Sequence, residues 1–250
     1  MNSQLKLSLG QFSDKGVKEV NQDFHGAVIP REPQLSLKGA ALVLADGIST
    51  SSVSQIASET AVKSFLNDYF CTSDTWTVYT SGLKVLESVN GWLCSQTQRS
   101  EFRYNKDKGY VCTLCAAVFK ASTVHLFHAG DSRVYRLRGQ GLEQLTKDHR
   151  SWISKEKSYL SRAMGVELDV EFDYQTVALK QGDYYLLCTD GVYEFIDTED
   201  VLKVLSEHAD DLNLAAEKLV QRALAQGSDD NLTLQIDRIE QMPSMEASTL

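Results

Sequence analysis

Apolar residues in this chain alternate with period two in nine stretches but follow helical spacing in only four, and those four fall in two sequence pairs. Strands are read at about 4–12, 23–29, 40–45, 109–119, 122–129, 132–138, 170–179, 183–188 and 231–239. Helical spacing links Val53, Ile56, Ala57, Thr60, Ala61 and Phe65, and then Leu83, Leu86, Val89 and Leu93. Two amphipathic segments follow at 198–208 and 212–226. Strands gathered in runs, with helices set apart in pairs, argue against alternating βαβ units. The expected fold is α+β, a sandwich of two antiparallel sheets covered by helices.

A chain of 250 residues, 42% of them apolar and 24% charged, has enough core for one large domain and shows no sign of disorder. The domain is expected over residues 1–240. The closing stretch EQMPSMEASTL loses periodicity, so 241–250 reads as a tail or the start of a linker. No signal-peptide pattern opens the sequence and no apolar run reaches the roughly 20 residues of a membrane span. A cytoplasmic location without a membrane span is therefore expected. The five cysteines, Cys71, Cys94, Cys112, Cys115 and Cys188, are an odd number placed mostly in core segments and read as reduced thiols. Cys112 and Cys115 form a CxxC inside a predicted strand, where residues three apart face opposite ways and do not share a metal.

The net charge of −9 excludes the basic surface that nucleic-acid backbones require. It suits a divalent cation better. Three aspartates stand at the ends of apolar strands, each beside a glycine: Asp46 in LVLADG, Asp131 in LFHAGDSR and Asp190 in YLLCTDG. A carboxylate at the end of a buried strand is costly unless paired, hydrogen-bonded or coordinated. Glycine after it permits a tight turn that exposes carbonyls. A carboxylate-rich shell with an added backbone carbonyl, and no His or Cys set beside it, is what Mg2+ and Mn2+ prefer. Two further segments add carboxylates: Asn21, Gln22 and Asp23, and Asp229, Asp230 and Asn231 before the last strand.

In chain order the motifs are NQD, ADG, AGDSR, SRAMG, CTDG and DDNLT. In that order and spacing, from about residue 9 to 239, the chain resembles metal-dependent serine/threonine protein phosphatases of type 2C, in their compact bacterial form. The resemblance implies a four-layer αββα sandwich with a metal centre where the two sheets meet at one edge. It implies that Asp46 bridges two Mn2+ or Mg2+ ions, that Asp23 and the Gly47 carbonyl serve one ion, and that Asp190 and Asp230 serve the other. Asp131 would help Asp190 hold a weaker third ion, within reach of Glu194. Two such ions, about 3.5–4 Å apart, clamp a bridging water and lower its pKa from about 15.7 towards neutrality, so no protein nucleophile is needed. The expected reaction is hydrolysis of phosphoserine and phosphothreonine in protein substrates, by a monomer working against a serine/threonine kinase.

Three departures from the family stand out. Phosphate recognition usually falls to an arginine where this chain has Lys18, a point charge in place of a bidentate fork. After Gly47 the chain reads Ile48, Ser49, Thr50, Ser51 and Ser52, without a general acid, and His25, His125, His128 and His149 are scattered. Between His149 and Ser161 only about a dozen residues replace a longer flap, with Trp152, Lys155 and Lys157 as candidate entrance residues. These departures leave two other readings open: a catalytically weak regulatory module that binds a phosphoprotein or kinase, and a metal phosphoesterase for small molecules.

Overall fold

The first and last strands pair with each other. In the computed structural model, which describes residues 4–152 and 158–243, β1 (Lys6–Asp14) runs antiparallel to β12 (Leu232–Gln241). β11 (Tyr184–Cys188), β6 (Arg133–Arg138) and β7 (Gly141–Gln144) complete a sheet in the order β1-β12-β11-β6-β7. The second sheet runs β10 (Asp173–Ala178), β5 (Thr123–Ala129), β4 (Leu114–Lys120), β3 (Ala40–Asp46) and β2 (Asp23–Val28). Every pairing in both sheets is antiparallel.

Between the sheets, Leu42, Leu44, Phe119 and Leu126 of one meet Val134, Tyr185, Leu187 and Ile239 of the other. The outer face of the second sheet is covered by α2 (Ser54–Cys71) and α3 (Val78–Arg99), that of the first by α5 (Thr198–Glu207) and α6 (Leu212–Ala225). A strand inside such a four-layer stack is buried on both faces, which is why β3 reads AALVLA without alternation. Each large side chain so enclosed contributes about 1.5–3 kcal/mol.

The helix pairs lie where spacing put them, but the buried stripe of α2 is Ala57, Ser58, Ala61, Val62, Phe65 and Tyr69, with Ile56 47% exposed. Small residues on that stripe let the helix lie close against β2 and β3. The strand expected at 109–119 begins only at Leu114, because Cys112 makes isolated bridges to Gly47 and Met164 instead of joining a ladder. Cys112 and Cys115 do face different cores. Three short strands were not anticipated: β7, and the two-stranded ribbon of β8 (Arg150–Trp152) and β9 (Ser158–Leu160). Nor were the short helices α1 (Gln34–Lys38) and α4 (Asp190–Tyr193). The strand expected at 231–239 runs from Leu232 to Gln241; residues 244–250 of the expected tail lie outside the described residues, as do Lys155, Lys157 and the side chain of Trp152. No helix among the described residues is long and apolar enough to cross a membrane.

Candidate metal centre

The β2–β3 register sets Asp23 directly opposite Asp46 at one edge of the sandwich. From the other sheet, the Thr189 hydroxyl donates to Asp23 Oδ2 (3.0 Å) and accepts from the Thr233 N–H (3.0 Å), joining the sheets where the carboxylates gather. One residue further along the β2–β3 ladder, Gln22 and Gly47 should exchange two backbone bonds. Only one forms, from Gly47 N–H to Gln22 O (3.1 Å), because the Gln22 N–H is diverted to Asn231 Oδ1 (2.8 Å). On its other side Gly47 is flanked by bonds from Ile48 N–H to Val111 O and from Thr113 N–H to Asp46 O, which bypass it. The Gly47 carbonyl is thus left outside the ladder. Asn231 also donates to the carbonyls of Lys15 and Val20, pinning the loop that leads to Asp23.

Neither Gly47 nor Gly191 has the positive φ that a turn role would call for; both serve close approach. A Cβ at Gly47 would lie 2.7 Å from Ser54 O and 2.8 Å from Gln22 O, and one at Gly191 would lie 2.2 Å from Asn231 O. The second contact is what brings Asp190, at the start of α4, beside Asp230 before β12. Gly130 (φ 118°) does make a turn, and it delivers Asp131. The structure therefore brings Asp23, Asp46, Asp131, Asp190 and Asp230 to one edge. Asp46, Asp131, Asp190 and Asp230 line a cleft of about 650 Å³ walled by Ile48, Tyr159, Leu160 and Val166. Lys18 stands at its rim with Nζ 3.4 Å from Asp230 Oδ1.

Burial and crowding raise the carboxyl pKa values. Burial pushes Asp23 up to about 6 against the hydrogen bonds it accepts, and pushes Asp190 up to about 7, aided by repulsion from Asp131 and opposed by Arg150. Asp46 is held well above the usual range, first by burial and then by Asp23, Asp190 and Asp131. Asp23 Oδ1 is buried with no hydrogen-bond partner. Such a set is unfavourable on its own and favourable around a cation.

Arg150 enters the cleft as well. It bonds Asp131 through Nε, Asp190 through one terminal nitrogen (2.6 Å) and Glu194 through the other (2.9 Å). The histidines are engaged elsewhere: His149 accepts the Gly130 N–H at Nδ1 and meets Asp173 at Nε2, and His128 contacts Ser132 O. Cys112, Cys115 and Cys188 are buried with thiol pKa values raised by desolvation, so none offers a thiolate.

Residues 13–230 match the family described as Protein phosphatase 2C. The chain belongs to the protein phosphatase 2C family. This phosphatase 2C chain is 32% identical to the serine/threonine phosphatase stp of Listeria welshimeri, over 89% of its own length and 92% of that protein's. It superposes on the catalytic domain of the serine/threonine protein phosphatase PstP, a Mycobacterium tuberculosis protein, in complex with two manganese ions (TM-score 0.76, 25% identity, 95% of this chain and 100% of that one). The S. agalactiae serine/threonine phosphatase shares the fold (TM-score 0.81, 23% identity, 94% of this chain and 100% of that one).

The residues of this phosphatase fit divalent ions in kind: carboxylates in surplus, the orphaned buried Asp23 Oδ1 and the open Gly47 carbonyl form the oxygen set that Mn2+ and Mg2+ take. Among the described residues, the one group of three His, Cys or carboxylate residues with ligand atoms all within 4.8 Å of one another is His128, His149 and Asp173, so ion binding must draw the aspartates together. It must also displace protons, because the folded pKa values near 6 and 7 leave Asp23 and Asp190 partly protonated below those values. Mn2+ affinity is expected to rise with pH through about 6 to 7, where Asp23 and Asp190 ionise, with proton release near pH 6. Calorimetry in buffers of different ionisation enthalpy counts those protons. Binding that is independent of pH and releases none would show the carboxylates already ionised.

Proposed function

We propose that the chain hydrolyses phosphoserine and phosphothreonine in proteins, with water as the nucleophile and two Mn2+ or Mg2+ ions held by Asp23, the Gly47 carbonyl, Asp46, Asp190 and Asp230. The observation that carries this reading is the edge where Asp23 and Asp46 face each other under Thr189, with the Gly47 carbonyl withheld from the ladder. Asp46, flanked by Asp23 on its own sheet and by Asp190 across the cleft, is placed to serve both ions. When bound, the ions lower the pKa of water and stabilise charge on the oxygens of an in-line displacement. Thr189 orients Asp23, and Asn231 keeps the Gly47 carbonyl available by holding the Gln22 N–H. With no histidine among the described residues that line the cleft, the departing seryl or threonyl oxygen takes its proton from water. The apolar wall of the cleft accommodates the peptide around the phosphorylated residue.

The same reading covers the partner, the location and the domain. All proposed ligands come from one chain, which supports a monomer, and its substrates would be made by a serine/threonine kinase. Four of the five thiols are buried and none is paired, which supports a cytoplasmic setting. Both sheets draw strands from the two halves of the chain, which supports one domain over 1–240. The direct test is hydrolysis of a phosphothreonine peptide with Mn2+, with Mg2+ and in excess chelator; undiminished turnover in chelator overturns the two-ion site.

Lys18, 37% exposed and beside Asp230, is proposed to contact the substrate phosphoryl group. Lys18→Ala is expected to raise KM and lower kcat/KM by about 10- to 150-fold, the loss of one charge-assisted contact of roughly 1.5–3 kcal/mol. Lys18→Arg should restore or exceed native activity through its two-pronged fork. Steady-state kinetics on a phosphopeptide at unchanged Tm checks both. Unchanged kcat and KM in Lys18→Ala would assign the phosphate to another group, and an inert wild type with intact fold and bound metal would favour a regulatory binding module.

A further inference from the structure

The position expected to hold a third ion contains a side chain. Asp131, Asp190 and Glu194 each direct an oxygen at a different nitrogen of the Arg150 guanidinium, which is 17% exposed at the cleft wall. The backbone fixes this placement. The His149 N–H bonds Gly130 O (2.8 Å), the Gly130 N–H bonds the His149 ring (3.0 Å), and the Ser161 N–H bonds His149 O (2.8 Å). The residue before Arg150 is thereby clamped to the residue before Asp131, while Arg150 itself pairs with Leu160 in the β8–β9 ribbon. The clamp sets the Arg150 backbone beside Asp131, and rotating the side chain away would leave buried Asp131 without this ion pair.

We infer that Arg150 is a built-in cation at the third position, so that this phosphatase binds two divalent ions and Asp131 serves as the arginine's partner, not as a ligand. A guanidinium is charged at every working pH and offers its N–H groups in a fixed plane. It satisfies the three carboxylates that a third ion would need, and its positive charge repels that ion. The inference rests on the two-ion reading above. Its consequence is a site whose charge at this position does not vary with the free metal concentration.

The test counts Mn2+ per chain by equilibrium dialysis and elemental analysis, after chelator stripping and reloading at micromolar and millimolar Mn2+. Wild type is expected to hold two ions at both concentrations, and Asp131→Asn to leave that count unchanged. Arg150→Gln is expected to hold a third ion at millimolar Mn2+, and the double variant Arg150→Gln with Asp131→Asn to return to two. A wild type that binds three ions, one of them lost in Asp131→Asn, overturns the inference without needing the arginine variant to fold. A folded Arg150→Gln that stays at two also overturns it and leaves the two-ion reading standing. Fewer than two ions in wild type overturns the two-ion reading itself, and the inference with it.

Discussion

Asp46→Asn is expected to lower kcat/KM on a phosphothreonine peptide by roughly 10³-fold or more, about 4 kcal/mol of transition-state stabilisation, because it removes charge from the residue proposed to serve both ions. The fold should survive. Asn has nearly the shape of Asp, and Asp46 is half-buried beside Asp23, Asp190 and Asp131, whose repulsion the neutral amide relieves. In chelator the variant is therefore expected to melt at or above the wild-type Tm, whereas Mn2+ should stabilise it less than it stabilises wild type. Native turnover by Asp46→Asn with Mn2+ would remove Asp46 from the site. A collapse of Tm in chelator would show that its charge supports the fold.

Gly191→Ala is expected to be the most disruptive single methyl in the site. Its Cβ would stand 2.2 Å from Asn231 O and 3.4 Å from Asp230 Cβ, so α4 and the segment entering β12 must move apart. Overpacking of this kind costs about 3 kcal/mol or more, a fall in Tm of about 6–12 °C for a chain of this size. Because the displacement separates Asp190 from Asp230, activity should fall further than stability accounts for at temperatures where the variant is folded. Gly91→Ala in α3 is the control, since its Cβ meets only Leu168 Cδ1 at 3.9 Å and a helical Gly→Ala exchange is mildly stabilising. Thermal melts and kinetics of both variants decide the matter; a Gly191→Ala protein with native Tm would show that the two segments are not in tight contact.

The layers and the carboxylate edge were legible in the sequence because both are written locally. Period-two runs, two helix pairs and aspartates at the ends of strands need no knowledge of partners. What escaped depends on distant pairing. β7, β8 and β9 are too short and too polar to announce themselves, and the ribbon exists only because Arg150 finds Leu160. Asn231 stood out only as part of DDNLT, although its side chain organises Lys15, Val20 and Gln22 from more than 200 residues away. Thr189 stood out only as part of CTDG, since its value lies in joining the two sheets. Arg150 was not singled out in the sequence, and only the fold shows three carboxylates around it. The glycines of the DG motifs were noticed for a turn; their actual use, letting one backbone lie against another, is invisible until the neighbours are known.

The pairing of β1 with β12 has a bearing on how the enzyme comes into being. Its partners, such as Phe12 with Leu234, are separated by more than 200 residues, so one sheet cannot close on the ribosome until β12 has emerged. Asp230 and Asn231 sit at the entrance to that last strand. A nascent chain can fold its β2–β5 layer early, but the proposed cation site stays incomplete until β12 has emerged. A product truncated before Asp230 and β12 is expected to lack the proposed cation site and to be inert towards phosphoproteins.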